Sequence, residues 1–371
     1  MRSATVPWRT HDMKLLYATS IDVPSTRANR LQILSQSEAF YRSIGDSFLL
    51  GLRARQERYE LRTPHYEMGN MRSYRLAWKY LVLAQDGFTH IYCREEKLLF
   101  FMIVLNQLWF HLPLTFCYEI HHLAYLEAWW HAYILRQVRH VISITHGMKD
   151  SLVRAGYPEE RILVAPDAVD ISMFDTGVGK DAARSALGLP QRKSIVLYTG
   201  TIDEPWKGVG VLYRAMRELD DRFLCIIVGG KPHYVEEFNR LYPPLPNVLL
   251  VGHKPHEDIP LYLRAADVLV LPNSGTAEIS RIATSPMKLF EYMAAGRPIV
   301  ASELPSILEI LNDHNAFLVV PDDAEDLAKG IRSLTENAEL GAMLSAQARK
   351  DVAAYTWEAR AIAICSFITH A

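Results

Sequence analysis

Short apolar runs recur along the chain, and longer stretches between them repeat apolar residues every three or four positions. In the first half the runs are KLLYATS, SFLLGL, HIYCR, LTFCYEI, HVISIT and RILVAP; in the second they are SIVLYTG, FLCIIVGG, NVLLVG, VLVLPN, PIVAS and AFLVV. Runs of this length, separated by helix-length amphipathic stretches, predict parallel strands covered on both faces. Two successive series predict an α/β protein with two doubly wound parallel sheets. The turn-rich polar segment 175–193 sets the expected boundary, giving a first domain over 1–180 and a second over 181–354. No short-period repeat or low-complexity tract interrupts this order.

One segment departs from the pattern. Residues 98–118 carry no Lys, Arg, Asp or Glu, and such a length could span a bilayer. Asn106, Gln107, His111 and Pro113 break it, and its second half alternates, so a buried helix followed by a core strand is expected. The helical half, LLFFMIVLNQLWF, also suits a surface that touches a membrane.

Composition narrows the class. The 371 residues are 49% hydrophobic and 22% charged, an ordinary soluble globular balance that fits two domains. A net charge of −2 gives no reason to expect a nucleic-acid partner. Cys93, Cys117, Cys225 and Cys365 lie far apart without a Cys-x-x-Cys pair, which reads as buried thiols in a reducing compartment. Residues 1–12 have no apolar core, so no secretory leader is expected, and Met13 is an alternative start for the folded chain.

The candidate chemistry gathers in loops after predicted strands, where open parallel sheets bind their ligands. The richest stretch is SPMKLFEYMAAGRPIVAS, residues 285–302. Pro286 suits the first turn of a helix, whose unpaired N–H groups favour a phosphate. Glu291 follows Met287 by four positions and faces the same side, where a carboxylate can accept two hydroxyl hydrogen bonds, as from a ribose diol. Taken alone, the stretch fits equally a surface helix with one solvated Glu. PSTRANRLQ follows the first strand, EIHH ends the fourth, and YTGTIDEPWKG carries Lys207 and Gly208 in a loop that begins at Gly200. Arg27 and Asn29 fit either a contact with phosphate or acceptor, or a solvent-facing helix cap. The chain contains no Asp-x-Asp metal device, no P-loop and no Gly-x-Gly-x-x-Gly after Tyr17–Ser20, which removes the main support for NTPase or dehydrogenase readings.

SPMKLFEYMAAGRPIVAS, together with PSTRANRLQ, YTGTIDEPWKG and RAADVLVLPNS in that order, resembles the retaining nucleotide-sugar glycosyltransferases of family 4, the glycosyl transferases of group 1. The resemblance implies the GT-B fold, two Rossmann-like domains facing a central cleft, with the terminal helix, about 355–371, returning to the first domain. It implies a metal-independent transferase moving a sugar from a nucleoside diphosphate to a hydroxyl acceptor, a saccharide or lipid-linked saccharide. No cofactor is implied; the nucleotide sugar is substrate, with UDP-sugars favoured over GDP-sugars. A cytoplasmic location, with peripheral contact at the inner face of the membrane, goes with that reading.

The same resemblance assigns His121, Lys207 and Glu291 to catalysis. It assigns Gly200, Thr201, Lys207, Gly208, Ser285, Pro286, Met287, Lys288, Leu289 and Glu291 to the donor. Lys207 opposes the charge of the leaving pyrophosphate, Gly208 allows close backbone approach, and Glu291 takes the ribose. Two positions depart from the family pattern. Thr201 stands where an Arg commonly shares the pyrophosphate, and Ala283 stands where the first of two glutamates contacts the donor sugar, leaving Glu278 or the backbone of 273–284 as substitutes. These departures keep a silent nucleotide-sugar-binding subunit as an alternative, beside an epimerase or hydrolase on the same scaffold.

Overall fold

The computed structural model describes residues 13–23, 28–55 and 60–369, with the side chains of residues 28 and 29 outside that set. The chain forms two compact units. In the first, seven parallel strands build one sheet: β1 (Leu15–Ala18), β2 (Phe48–Leu52), β3 (His65–Glu67), β4 (His90–Cys93), β5 (Thr115–Ile120), β6 (His140–Ser143) and β7 (Ile162–Val164). Their order is β3-β2-β1-β4-β5-β6-β7. Every apolar run of the first half supplies one of these strands. The unforeseen one, β3, is the edge strand; its sequence HYE is partly exposed and carries no apolar run.

The second unit repeats the design with six parallel strands: β8 (Ser194–Thr199), β9 (Phe223–Val228), β10 (Val248–Gly252), β11 (Val268–Leu271), β12 (Ile299–Ser302) and β13 (Phe317–Val319). The order β10-β9-β8-β11-β12-β13 reverses direction at β8, just as the first sheet reverses at β1. Both are Rossmann-like, and the reversal opens a crevice beyond the carboxyl ends of the central strands. Buried Ile195, Leu197, Leu269 and Leu271 line one face of the second sheet and Val196, Tyr198, Val268 and Val270 the other, so both faces are covered by helices as the continuous apolar runs required.

The second unit runs from Asp167 to Thr356, so the boundary lies earlier than the 175–193 segment suggested and residues 167–180 change sides. Packing explains the shift. Val169 and Phe174 are buried in the second core, and Lys180 and Arg184 both pair with Asp267 at the start of β11, at 2.9 and 2.5 Å. The first unit is discontinuous, because helix Trp357–Thr369 belongs to it. Arg360 on that helix donates to the Pro166 carbonyl at 2.9 Å and pairs with Glu119 of β5 at 2.9 Å.

The uncharged segment 98–118 folds as a helix, Glu96–Leu105, a π-helical turn, Asn106–Phe110, and β5. Asn106 makes the break: its amide donates to the Leu112 carbonyl and its carbonyl accepts the Leu112 N–H, both at 3.0 Å. Among the described residues no helix is long and apolar enough to cross a membrane. All four cysteines are buried and unbridged.

Candidate functional site

In the second unit the loops after β8 and β11 meet at the reversal of strand order. Gly208, with φ +72°, lies so close to the Pro272 carbonyl that a Cβ would overlap it, and the Ser274 N–H donates to the Trp206 carbonyl at 2.9 Å. The two loops are thereby fixed against each other. A Cβ on Gly229, with φ +138°, would overlap the Gly200 carbonyl, which brings in the loop after β9.

Helix Met287–Ala295 enters this junction. The Tyr292 hydroxyl accepts the Thr199 N–H at 2.8 Å, pinning the helix to the end of β8. Pro286 is the residue that caps this helix, not a member of its first turn, and Met287 begins the helix. The N–H groups of Met287 and Lys288 therefore lack a helical partner, as at any helix start.

The most telling group is the Lys288 ammonium. Its Nζ would lie 2.5 Å from a Cβ on Gly200 and sits 3.9 Å above the Tyr198 ring. It is buried and makes no hydrogen bond. Burial and the like charge of Lys207 push it well below lysine's ordinary range. Lys207 itself stacks 3.5 Å from the Trp206 ring centre, with Glu204 at 3.6 Å. Burial lowers its pKa too, against the pull of Glu204. Two lysines thus face one junction; the exposed Glu204 acts on both, with Glu291 acting on Lys288 and Asp203 on Lys207. Asn273, 1% exposed at the end of the β11 run, has neither its amide nor its carbonyl satisfied. Buried polar groups left without partners are costly and uncommon, so an anion and hydroxyls that supply them fit this cradle.

Glu291 is 7% exposed and accepts a hydrogen bond at 2.8 Å from His256, which sits in the turn after β10. Burial opposes the charged imidazole, yet the Glu291 hydrogen bond and charge outweigh it and raise the His256 pKa. His256 was invisible in the sequence, since the polar loop HKPHED offers no spacing that ties it to a helix far along the chain.

Other assignments change. Leu289 is a core side chain whose N–H donates to the Pro286 carbonyl at 2.9 Å, so neither end is open to a ligand. Ser285 is buried, and its hydroxyl oxygen accepts the Asp167 N–H at 2.9 Å. Thr201 is exposed, and its carbonyl accepts the Tyr198 hydroxyl at 2.8 Å. Met287 is half-buried at the helix start, Ala283 is buried, and Glu278 is exposed.

In the first unit His121 follows the end of β5 and bonds Glu119 through Nε2 at 2.6 Å. Burial and the Arg94 charge lower its pKa to about 4 despite Glu119, so the ring is neutral near pH 7. With Nε2–H given to the carboxylate, Nδ1 is left as an acceptor. Glu119 also meets Arg360 and the Tyr92 hydroxyl. Burial works to raise the Glu119 pKa, but Arg360 and His121 hold it well below the ordinary range. His122 pairs separately with Glu96 at 2.9 Å. Arg27 and the Asn29 side chain lie outside the described residues.

A cavity lined by Lys193, Met216, Asp220 and Asn247 opens at the amino ends of the second sheet's strands, opposite the cradle.

Comparison with known proteins places the second unit among relatives. Residues 193–337 match the family described as glycosyl transferases group 1. The phosphatidyl-myo-inositol mannosyltransferase of Mycolicibacterium smegmatis is 30% identical over 195 residues, covering 52% of this chain and 47% of that protein. The D-inositol 3-phosphate glycosyltransferase of Streptomyces avermitilis is 29% identical over 251 residues, covering 62% and 52%. The chain spans about half the length of the curated relatives it matches. The crystal structure of Anabaena HepE in complex with UDP superposes with a TM-score of 0.78 at 20% identity, covering 97% of this chain and all of that one. The fold is the GT-B fold, and the resemblance to the group 1 glycosyl transferases holds.

Proposed function

We propose that the protein is a retaining glycosyltransferase that moves a sugar from a nucleoside diphosphate to a hydroxyl acceptor in glycoconjugate assembly. The observation that carries this reading is the buried Lys288 ammonium, without a hydrogen bond and beside Gly200 and Lys207, a seat that suits an anion. A diphosphate supplies that anion. Lys207, Lys288 and the first N–H groups of helix Met287–Ala295 then oppose the charge that grows as the glycosidic bond breaks. Glu291, held by His256, takes the ribose hydroxyls. Neutral His121 hydrogen-bonds a sugar hydroxyl through Nδ1; with Nε2 committed to Glu119 it is poorly suited to act as a covalent nucleophile. A same-face displacement follows, in which the departing phosphate oxygen accepts the acceptor proton and the protein supplies positioning and electrostatics. UDP-sugars are the favoured donors, in keeping with the UDP bound in HepE. Buried, unbridged thiols suit a reducing compartment such as the cytoplasm. Incubation with labelled nucleotide sugars tests the reading: acceptor-dependent product, with the anomeric configuration kept, is expected. Binding without product would leave a silent nucleotide-sugar-binding subunit, the reading that Thr201 and Ala283 support.

Two further outcomes are expected. Glu291→Ala should weaken donor binding about tenfold or more, because a hydrogen bond to a charged group is worth roughly 1.5–3 kcal/mol. Ligand-induced thermal shifts with UDP and its sugars measure this, and an undiminished shift in the folded variant would remove the ribose assignment. Turnover should also survive EDTA, since the lysine pair does the work that a chelated metal does elsewhere. Loss of activity on chelation with recovery on adding magnesium or manganese would overturn that role.

A further inference from the structure

We propose that the aromatic face of the first unit is a docking surface for an anionic lipid bilayer. The face belongs to the first unit and the cradle to the second, and the proposal gives a surface and a lipid class to the membrane contact expected of the segment LLFFMIVLNQLWF. On helix Ser73–Ala84 the exposed side chains Tyr74, Trp78 and Val82 recur every four residues in one stripe. Trp78 lies 6.4 Å, centre to centre, from Trp109 of the π-helical turn. Tyr74 continues the face through Phe101 and Phe100 to Trp129, with successive ring centres 6.3, 5.7 and 6.1 Å apart. Trp78, Trp109 and Trp129 are 46%, 60% and 74% exposed. Large aromatic side chains gathered this way on open surface mark a contact site. Indole and phenol rings, apolar with one polar edge, favour the headgroup level of a bilayer.

Charge selects the occupant. No Asp or Glu occurs over residues 68–85 or 98–118, whereas Arg72, Arg75 and Lys79 flank the stripe. Arg75 lies over the Tyr74 ring at 5.8 Å, and Lys79, the residue after Trp78, donates to the Met68 carbonyl at 2.7 Å. A two-fold contact with a second copy would set these cations against themselves. An anionic lipid surface instead complements them, and each Lys or Arg near such a surface adds to binding.

The test is sedimentation of the full chain with vesicles. Binding is expected to phosphatidylcholine vesicles containing phosphatidylglycerol, weakening as salt is raised, with little binding to phosphatidylcholine alone. Trp78→Ser with Trp109→Ser, and separately Arg72→Glu with Arg75→Glu, should each lower partitioning about tenfold or more. All four side chains are on the surface, so the melting temperature and the donor-induced thermal shift should be unchanged. Absence of wild-type binding to the anionic vesicles overturns the proposal, as does full binding by either double variant. A solution dimer dissolved by the Trp78→Ser, Trp109→Ser pair would assign the face to a second copy instead.

Discussion

Lys288→Ala is expected to lower kcat about a hundredfold or more at saturating donor, the scale of losing a preorganised group that opposes transition-state charge. Lys207→Ala should lose a similar factor, because the two ammonium groups face one junction and each meets the growing charge on the leaving diphosphate. A contact made only in the transition state lowers kcat and kcat/KM together, whereas a uniform binding contact raises KM alone. Steady-state kinetics therefore separate the two roles. Near-normal kcat in Lys288→Ala would leave Lys207 alone as the catalytic cation and remove the meaning given to the buried Nζ. A second readout follows from its protonation. Burial and Lys207 hold the Lys288 pKa well below the ordinary value, and a bound diphosphate restores the charged form. Donor binding above the depressed pKa should then take up a proton, seen in calorimetry as a heat that varies with the ionisation enthalpy of the buffer. Lys288→Ala should bind without that uptake. Thr201→Arg should be tolerated, since Thr201 is exposed and its carbonyl, not its side chain, holds Tyr198.

The sheets were legible because parallel strands buried on both faces must be continuous apolar runs, and each run in the chain became a strand. Strand β3 escaped because an edge strand needs no such run. The boundary was displaced because turn-rich composition marks exposed chain, not the sheet against which it packs; Phe174 looks like loop in sequence and is core in space. That Gly200, Lys207, Gly208, Lys288 and Glu291 lie on one loop and one helix start was readable, because those elements hold them at fixed local spacing. Their partners were not. His256 reaches Glu291 and Asn273 reaches the Gly208 loop only through tertiary packing, which leaves no periodic trace. Leu289 shows the converse error, since a motif position close to the ligand in sequence can point into the core.

The first unit carries the largest expected change in stability. Arg360→Met removes the cation that faces Glu119, while Glu119 stays buried with His121 and the Tyr92 hydroxyl. Breaking a buried pair from one side costs about 3–5 kcal/mol, because the remaining charge keeps its desolvation penalty. The cost should fall on the unfolding transition of the first unit and leave the thermal shift of the second unit by UDP intact. The pH dependence gives the argument its sign. In the native protein the Glu119 pKa is depressed, so its stabilisation is present above the ordinary carboxylate pKa and fades as pH falls through the folded value. His121, lowered to about 4, acts in the same direction, because the unfolded chain takes up its proton first on acidification. Without Arg360 one charge that lowers the His121 pKa is gone, and Glu119 has the imidazole as its nearest available cation. The His121 pKa should therefore rise from about 4 toward its unfolded value, which shrinks the stability that His121 costs the native chain on acidification. Arg360→Met should accordingly lose most stability relative to the native chain near pH 8 and less near pH 5, so its stability falls less steeply on acidification. Denaturant midpoints at the two pH values and an NMR titration of His121 measure both effects. An unchanged midpoint at pH 8, or a His121 that still titrates near pH 4 in the variant, would show that the charge of Arg360 is not what holds Glu119 ionised in the core.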